Sequence, residues 1–219
     1  WGSHQVVGFT STFEQTAASA ALARRVRELN EEVRFVFGGA NFDGAMGVEL
    51  QRSIHEVDFV IQGEADDSLP RFLSFIAGET GADAVPGLVW TGSDGAQRCQ
   101  SATPVDPLDA LPEPAYDEYF ERSATVGLEL GRERTILPIE TSRGCWWGQR
   151  RHCTFCGLNG STMAYRSKSP ERALAEFRSL AERYSANEFF VTDNIMDRSY
   201  PQTLFAELAA DDCEYEVFY

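Results

Sequence analysis

The chain has 219 residues, 43% of them hydrophobic, with 18 glycines, 9 prolines and a net charge of −15 from 34 acidic and 19 basic side chains. That is the composition of one large or two small globular domains, neither disordered nor fibrous. The acidic balance repels a phosphate backbone, so no nucleic-acid partner is expected; no apolar run reaches the ~18 residues of a membrane span, so no membrane partner is expected.

Trp1-Gly2-Ser3-His4 does not read as a folded start. Residues 6–9 form a short apolar run followed by polar Thr10, Ser11 and Thr12, a strand ending in a loop. Residues 14–29 read as a helix with Ala17, Ala21, Leu22, Val26 and Leu29 on its buried face. An apolar strand over 33–37, broken only by Arg34, runs into Gly38-Gly39, and a helix follows over 45–54. Another strand over 57–61 closes at Gly63-Glu64, with a helix over 68–76 behind it. Alternating strands and helices predict a parallel sheet covered on both faces. Residues 87–101 read as a hairpin turning at Asp94-Gly95. The proline-rich stretch from Pro104 onward reads as a linker over 104–134, separating a first domain over 1–103 from a second over 135–219.

The second domain starts with a strand over 135–140, then a long loop over 141–165. Ser169 is an N-cap with Pro170 at the first helical position of a helix to 184, whose buried stripe is Leu174, Phe177, Leu180 and Ala181. A strand over 188–192 ends at Asp193-Asn194, a helix starts at Pro201, and a strand begins at 214 and stops without a turn. This βα repeat predicts a partial barrel with the rest missing, so the chain is expected to be part of a larger protein.

Three of the five cysteines cluster: Cys145 and Cys153 are separated by seven residues, Cys153 and Cys156 by two. Three thiolates on a loop after a strand suit a [4Fe–4S] cluster with one open iron. A structural zinc site is one alternative, and it wants a fourth ligand that His152, Cys99 or Cys213 would have to supply; three unrelated thiols are the other. Either metal reading implies a reducing, cytoplasmic setting. Between Thr141 and Pro170 there is no acidic residue, while Arg143, Arg150, Arg151, Arg166 and Lys168 are basic, a local charge suited to an anionic cluster and a carboxylate-bearing cofactor. Gly38-Gly39 ends a strand where parallel sheets bind ligands, with Ser11, Thr12 and Gly63-Glu64 expected on the same edge. Paired glycines allow a flat ligand to approach the backbone, or only a tight turn. Asp193 and Asn194 are expected to face the cysteine loop from the end of the next strand, or to cap a turn.

The stretch from Glu140-Thr141-Ser142-Arg143-Gly144-Cys145 through Cys153-Thr154-Phe155-Cys156-Gly157-Leu158-Asn159-Gly160 resembles the cobalamin-dependent radical S-adenosylmethionine (SAM) enzymes, in particular the group that matures ribosomally made peptides (RiPPs). The general family spaces its cysteines three and two apart; the seven and two found here are a departure shared by that group. Phe37-Gly38-Gly39-Ala40-Asn41, Val57 through Glu64 and Val85-Pro86-Gly87-Leu88-Val89 resemble pieces of its cobalamin-binding domain. The resemblance implies an α/β architecture, a Rossmann-like cobalamin-binding domain followed by the start of a radical SAM (β/α) partial TIM barrel. It implies a [4Fe–4S] cluster on Cys145, Cys153 and Cys156, and SAM beside Phe155, Gly157, Asp193 and Asn194. Cobalamin would lie against Ser11, Thr12, Gly38, Gly39, Gly63 and Glu64. The implied reaction is radical C-methylation of a peptide or small natural product, served by an electron donor of flavodoxin or ferredoxin type. A relative that transfers the 3-amino-3-carboxypropyl group of SAM to a heteroatom such as arsenic is the alternative. The Asp-x-His-x-x-Gly motif that ligates cobalt elsewhere is absent, so cobalamin is expected to bind without a histidine from this chain.

Overall fold

The computed structural model describes residues 4–127, 135–157 and 163–219. The chain forms two compact units, one running to Val105 and also taking Gly157, the other made of Asp106–Cys156 and Met163–Tyr219.

The first unit is a five-stranded sheet in sequential order, β1 (Val6–Thr10), β2 (Arg34–Gly38), β3 (Phe59–Ile61), β4 (Leu88–Thr91) and β5 (Gln97–Cys99). β1, β2 and β3 are parallel, with Phe9 level with Phe37 and Phe37 level with Val60. β4 and β5 are antiparallel additions. Two right-handed crossovers in the same direction must put their helices on the same face. Accordingly α1 (Gln15–Leu29) and α2 (Gly44–Ser53) share one core with Phe35, Phe37 and Val60. The alternate residues Val36 and Ile61 face the opposite side, where Phe72 of α3 (Ala65–Ile76) covers them. β2 is apolar without alternation because both of its faces are covered. The 94–95 turn forms as expected: Gly95 has φ +76°, and the Asp94 carboxylate accepts the Ala96 N–H at 3.1 Å.

The face that α1 buries differs from the expected one. Ala23 and Val26 are buried, whereas Leu22 and Leu29 are exposed. An alanine-rich helix has a weakly defined apolar phase, and here a charged residue decides it. Arg27 bonds Asp58 at 2.7 Å, donates to the Val33 carbonyl at 3.0 Å and lies 4.6 Å from the Phe35 ring centroid. Its aliphatic stem therefore belongs to the core side of the helix.

The second unit holds a parallel three-stranded sheet, β6 (Leu137–Ile139), β9 (Glu188–Val191) and β10 (Glu216–Phe218), with β9 in the middle. α5 (Pro170–Tyr184) and α6 (Leu204–Leu208) connect these strands and share one core with Leu137, Ile139, Phe189 and Val191. Ser169 caps α5 as expected, its hydroxyl accepting the Arg172 N–H at 3.1 Å. The helix ends at Ser185 in the left-handed conformation.

Part of the stretch read as a linker is folded. α4 (Asp117–Thr125) lies within it. Tyr116 and Phe120 meet Tyr184 with ring centroids 5.6 and 5.3 Å apart, and the Tyr116 N–H bonds the Tyr184 hydroxyl at 2.7 Å. Burial pushes the Tyr116 phenol up to about 12. Residues 128–134 of that stretch, and 158–162 of the cysteine loop, lie outside the described residues.

Candidate functional site

In the first unit the strand ends at the carboxyl edge are stitched together. Ser11 follows β1, is fully buried, and donates its N–H to the Gly38 carbonyl at 2.8 Å. Its own carbonyl accepts the Asn41 N–H at 3.1 Å. The Asn41 amide then reaches the Ser11 hydroxyl at 3.1 Å, the Thr16 hydroxyl at 3.1 Å and the Phe13 carbonyl at 2.7 Å. The Thr12 N–H bonds Gln15 at 2.8 Å. Across β2 and β3, Asp43 accepts the Gly63 N–H at 3.2 Å, and Glu64 accepts the Val105 N–H at 2.8 Å. Ser11, Thr12, Gly38, Gly39, Gly63 and Glu64 therefore share one edge. Asn41 and Asp43 do the joining, which no spacing in the sequence announces.

Gly39 makes the tight strand-to-helix turn, one of the two readings of the paired glycines. It has φ +88°, and a Cβ there would lie 2.7 Å from the Ser11 carbonyl oxygen and 2.9 Å from the Ser11 nitrogen. The missing side chain lets β1 and β2 end in contact, while the residue itself stays exposed. Gly39→Val is expected to weaken this end of the sheet by about 1–3 kcal/mol from backbone strain alone. Native-state hydrogen exchange of the β1 and β2 amides reads this directly; unchanged protection at Ser11 and Phe37 would mean that the backbone gives way without cost.

His4 precedes β1 and His55 precedes β3, so both lie at the amino-terminal edge, opposite the glycines; His152 belongs to the second unit. Phe13 sits beside the stitched edge, 88% exposed, at φ +54°.

In the second unit the cysteine loop leaves the carboxyl end of β6 and is closed at its base by two short antiparallel strands, β7 (Ser142–Arg143) and β8 (Arg166–Ser167). The Cys145 N–H bonds the Met163 carbonyl at 3.3 Å. Gly144 has φ +77°, and a Cβ on it would meet the Ala164 carbonyl oxygen at 2.2 Å, so only glycine fits at this crossing of the two roots. The Gly148 N–H points at the Cys145 sulfur from 3.3 Å, and the Cys156 N–H bonds the Cys153 carbonyl at 3.1 Å. All three cysteines lie outside any disulfide and are half-buried. No group of three or more metal-ligating side chains is already gathered among the described residues. The donor set nevertheless suits an iron–sulfur cluster: three thiols, no carboxylate between Thr141 and Pro170, and a backbone N–H aimed at one sulfur. Cys213 precedes β10 at the other edge of this sheet, away from the loop.

The basic character of the loop is less free than its sequence suggests. Arg143 makes a two-pronged bond to Glu140 at 2.8 and 2.9 Å. Lys168 is buried and bonds both oxygens of buried Glu176, at 2.9 and 2.7 Å. Burial pushes the Glu176 carboxyl up, with Lys168 and Arg172 pulling it back. Arg150 and Arg151 remain exposed, as do Trp147 and Phe155.

Asp193 faces the start of the loop. Its two oxygens accept the Thr141 N–H at 2.8 Å and the Thr141 hydroxyl at 2.5 Å. Burial raises its carboxyl above the usual range, against the pull of the Thr141 and Ser142 hydrogen bonds. Asn194 is exposed, and so is Gly157.

The segment after Asn194 was not singled out by sequence, yet it holds the loop at several points. The Ile195 carbonyl accepts the Ser142 hydroxyl at 3.1 Å, and the Met196 carbonyl accepts the Trp146 indole N–H at 2.9 Å. Asp197 accepts the Tyr165 and Ser167 hydroxyls at 3.0 and 3.1 Å. The Arg198 guanidinium lies 3.7 Å from the Trp146 ring centroid. Burial works to raise the Asp197 carboxyl, but hydrogen bonds from Ser199, Tyr165 and Ser167 outweigh it and hold the group below the usual range.

No helix among the described residues is long and apolar enough to cross a membrane. No protein-family model matches the chain. It is 25% identical over 91% of its length to the cytidylyl-2-hydroxyethylphosphonate methyltransferase of Streptomyces wedmorensis, of which it spans 42%. Among solved structures it matches the cobalamin-dependent S-adenosylmethionine radical enzyme OxsB with aqua-cobalamin bound (TM-score 0.74, 17% identity, 97% of this chain, 30% of that one). It also matches the radical S-adenosylmethionine methyltransferase TsrM from Kitasatospora setae, bound to tryptophan and a SAM analogue (TM-score 0.65, 20% identity, 95% of this chain, 41% of that one). The chain thus spans less than half the length of each of these proteins, and along nearly all of its own length it has the α/β fold seen in OxsB and TsrM.

Proposed function

We propose that this chain is the cobalamin-binding unit and the first part of the radical SAM barrel of a methyltransferase acting on a peptide or a small natural product. One observation supports this reading most: three thiols lie on a single loop at the carboxyl edge of a parallel sheet, with both roots of the loop pinned, in a chain that follows OxsB over 97% of its length. When bound, the [4Fe–4S] cluster with SAM supplies a radical able to take hydrogen from an unactivated carbon, and cobalamin supplies the methyl group.

Cys145, Cys153 and Cys156 would hold the cluster, and the Gly148 N–H offsets charge on the Cys145 sulfur. Exposed Phe155, Gly157 and Asn194 are the groups that can touch SAM. Asp193 acts through Thr141 and fixes where the loop begins. In the first unit, exposed Gly39 and Gly63 offer bare backbone to a corrin, while Ser11 and Asn41 hold that backbone in place from beneath. With His4 and His55 at the far edge of that sheet, neither would ligate the cobalt.

The decisive experiment is anaerobic turnover of the full protein with SAM labelled in its methyl group and a small-molecule or peptide substrate, read by mass spectrometry. A labelled methyl on carbon is the expected product. Transfer of the aminocarboxypropyl group would replace methylation as the reaction, and stoichiometric zinc without acid-labile sulfide would remove the radical reading altogether.

A further inference from the structure

Asp197 lies in the connection between β9 and α6, 41 residues beyond the last loop cysteine. Its two oxygens divide the work. Oδ1 accepts the Ser199 N–H at 2.8 Å and the Ser199 hydroxyl at 2.7 Å, which fixes the carboxylate on its own segment. Oδ2 accepts the Tyr165 hydroxyl at 3.0 Å and the Ser167 hydroxyl at 3.1 Å, both on the returning root of the cysteine loop. That root carries Met163, whose carbonyl receives the Cys145 N–H, and Ala164, whose carbonyl lies against Gly144. A continuous path of contacts therefore runs from Asp197 through Tyr165 and Ser167 to the backbone of Cys145.

We propose that Asp197 is a positioning residue that sets the placement of Cys145 by clamping the returning root of the loop. The proposal rests on the loop being the cluster site, but the clamp itself can be measured on the thiols. Loss of the carboxylate leaves two hydroxyl donors without their acceptor on the root, and the root then opens locally while the sheet beneath it stays folded.

The test is the alkylation rate of each cysteine in the full chain before iron is supplied, read by peptide mass spectrometry. In Asp197→Ala the Cys145 rate is expected to rise about tenfold, the scale of losing part-buried hydrogen bonds to a charged group. Cys153 and Cys156 should rise less, and Cys99 and Cys213, which lie outside the loop, should not change. Asp197→Asn keeps an oxygen that can accept from Tyr165 and Ser167, so its Cys145 rate should stay near the parent's. Tyr165→Phe with Ser167→Ala removes the same bonds from the other side, and should reproduce the Asp197→Ala pattern even if that variant folds poorly. Combining all three changes should add nothing further.

An unchanged Cys145 rate in both sets of variants would overturn the proposal. So would an equal rise at Cys213, which lies outside the loop, or a further rise in the combined variant. Iron uptake from ferrous iron and sulfide, measured in parallel, should fall in Asp197→Ala. A parent chain that takes up no iron would defeat the cluster reading and leave the thiol result standing, so the two failures are distinguishable.

Discussion

Cys153→Ala is expected to lose most of its iron after anaerobic reconstitution of the full chain, while residues up to Val105 stay folded. A loop left with two thiolates cannot hold a cluster that needs three. Cys213 cannot replace the lost ligand, because it lies at the opposite edge of its sheet, before β10. The checks are iron and sulfide content with the electron paramagnetic resonance of the reduced protein. A full [4Fe–4S] signal in the variant would mean that a thiol other than the three on the loop is a ligand.

Glu176→Ala should be the most damaging single change for stability. It strips the partner from Lys168, whose side chain is only 3% exposed, and leaves an unpaired ammonium in the core. Breaking such a pair costs about 3–5 kcal/mol. For a unit of this size that lowers the melting temperature by on the order of 10 °C. The damage should reach the cysteine loop, because the Lys168 N–H bonds the Thr141 carbonyl at 2.8 Å and the Lys168 carbonyl accepts the buried Tyr200 hydroxyl at 2.8 Å. Replacing both members with methionine removes the stranded charge and should recover most of the stability. Calorimetry of the two variants decides the matter: a double variant no better than Glu176→Ala would show that the two residues matter for packing and not for their charges.

The elements that were legible in the sequence are those whose signal is local. Ser169-Pro170 announces the start of α5 by capping chemistry alone, and Asp94-Gly95 announces the hairpin by the turn it favours. The apolar run Phe35-Val36-Phe37 in β2 reports burial on both faces. Where the signal is tertiary, reading fails. α4 rests on two aromatic residues that meet Tyr184 far along the chain, so its surroundings looked like linker. β7 and β8 are two residues each and have no pattern to detect. In α1 the alanines left the buried face undefined, and the Arg27–Asp58 pair set it. Asp197 sits in a loop with no periodicity, and its partners come from the other side of the cysteine loop. Glu176 alone left a readable trace: it falls on the same stripe as Ala173, Phe177 and Leu180, and a carboxylate on such a stripe asks for a buried partner.

The turn between the first two loop cysteines closes on itself. The Gln149 N–H bonds the Cys145 carbonyl at 3.0 Å, and the Trp147 carbonyl accepts the Arg150 and Arg151 N–H groups at 3.0 and 2.9 Å. None of these three bonds reaches the sheet or the helices; those attachments are made nearer the roots, by Thr141, Ser142, Trp146, Tyr165 and Ser167. The segment therefore behaves as a detachable bead on a clipped string. Beyond Gly148, whose N–H points at the Cys145 sulfur, a change of length at 149–152 would leave the bonds at the roots in place, so the interval between Cys145 and Cys153 can differ without dislocating the scaffold. The two residues between Cys153 and Cys156 have no such slack, because the Cys156 N–H is bonded straight back to the Cys153 carbonyl.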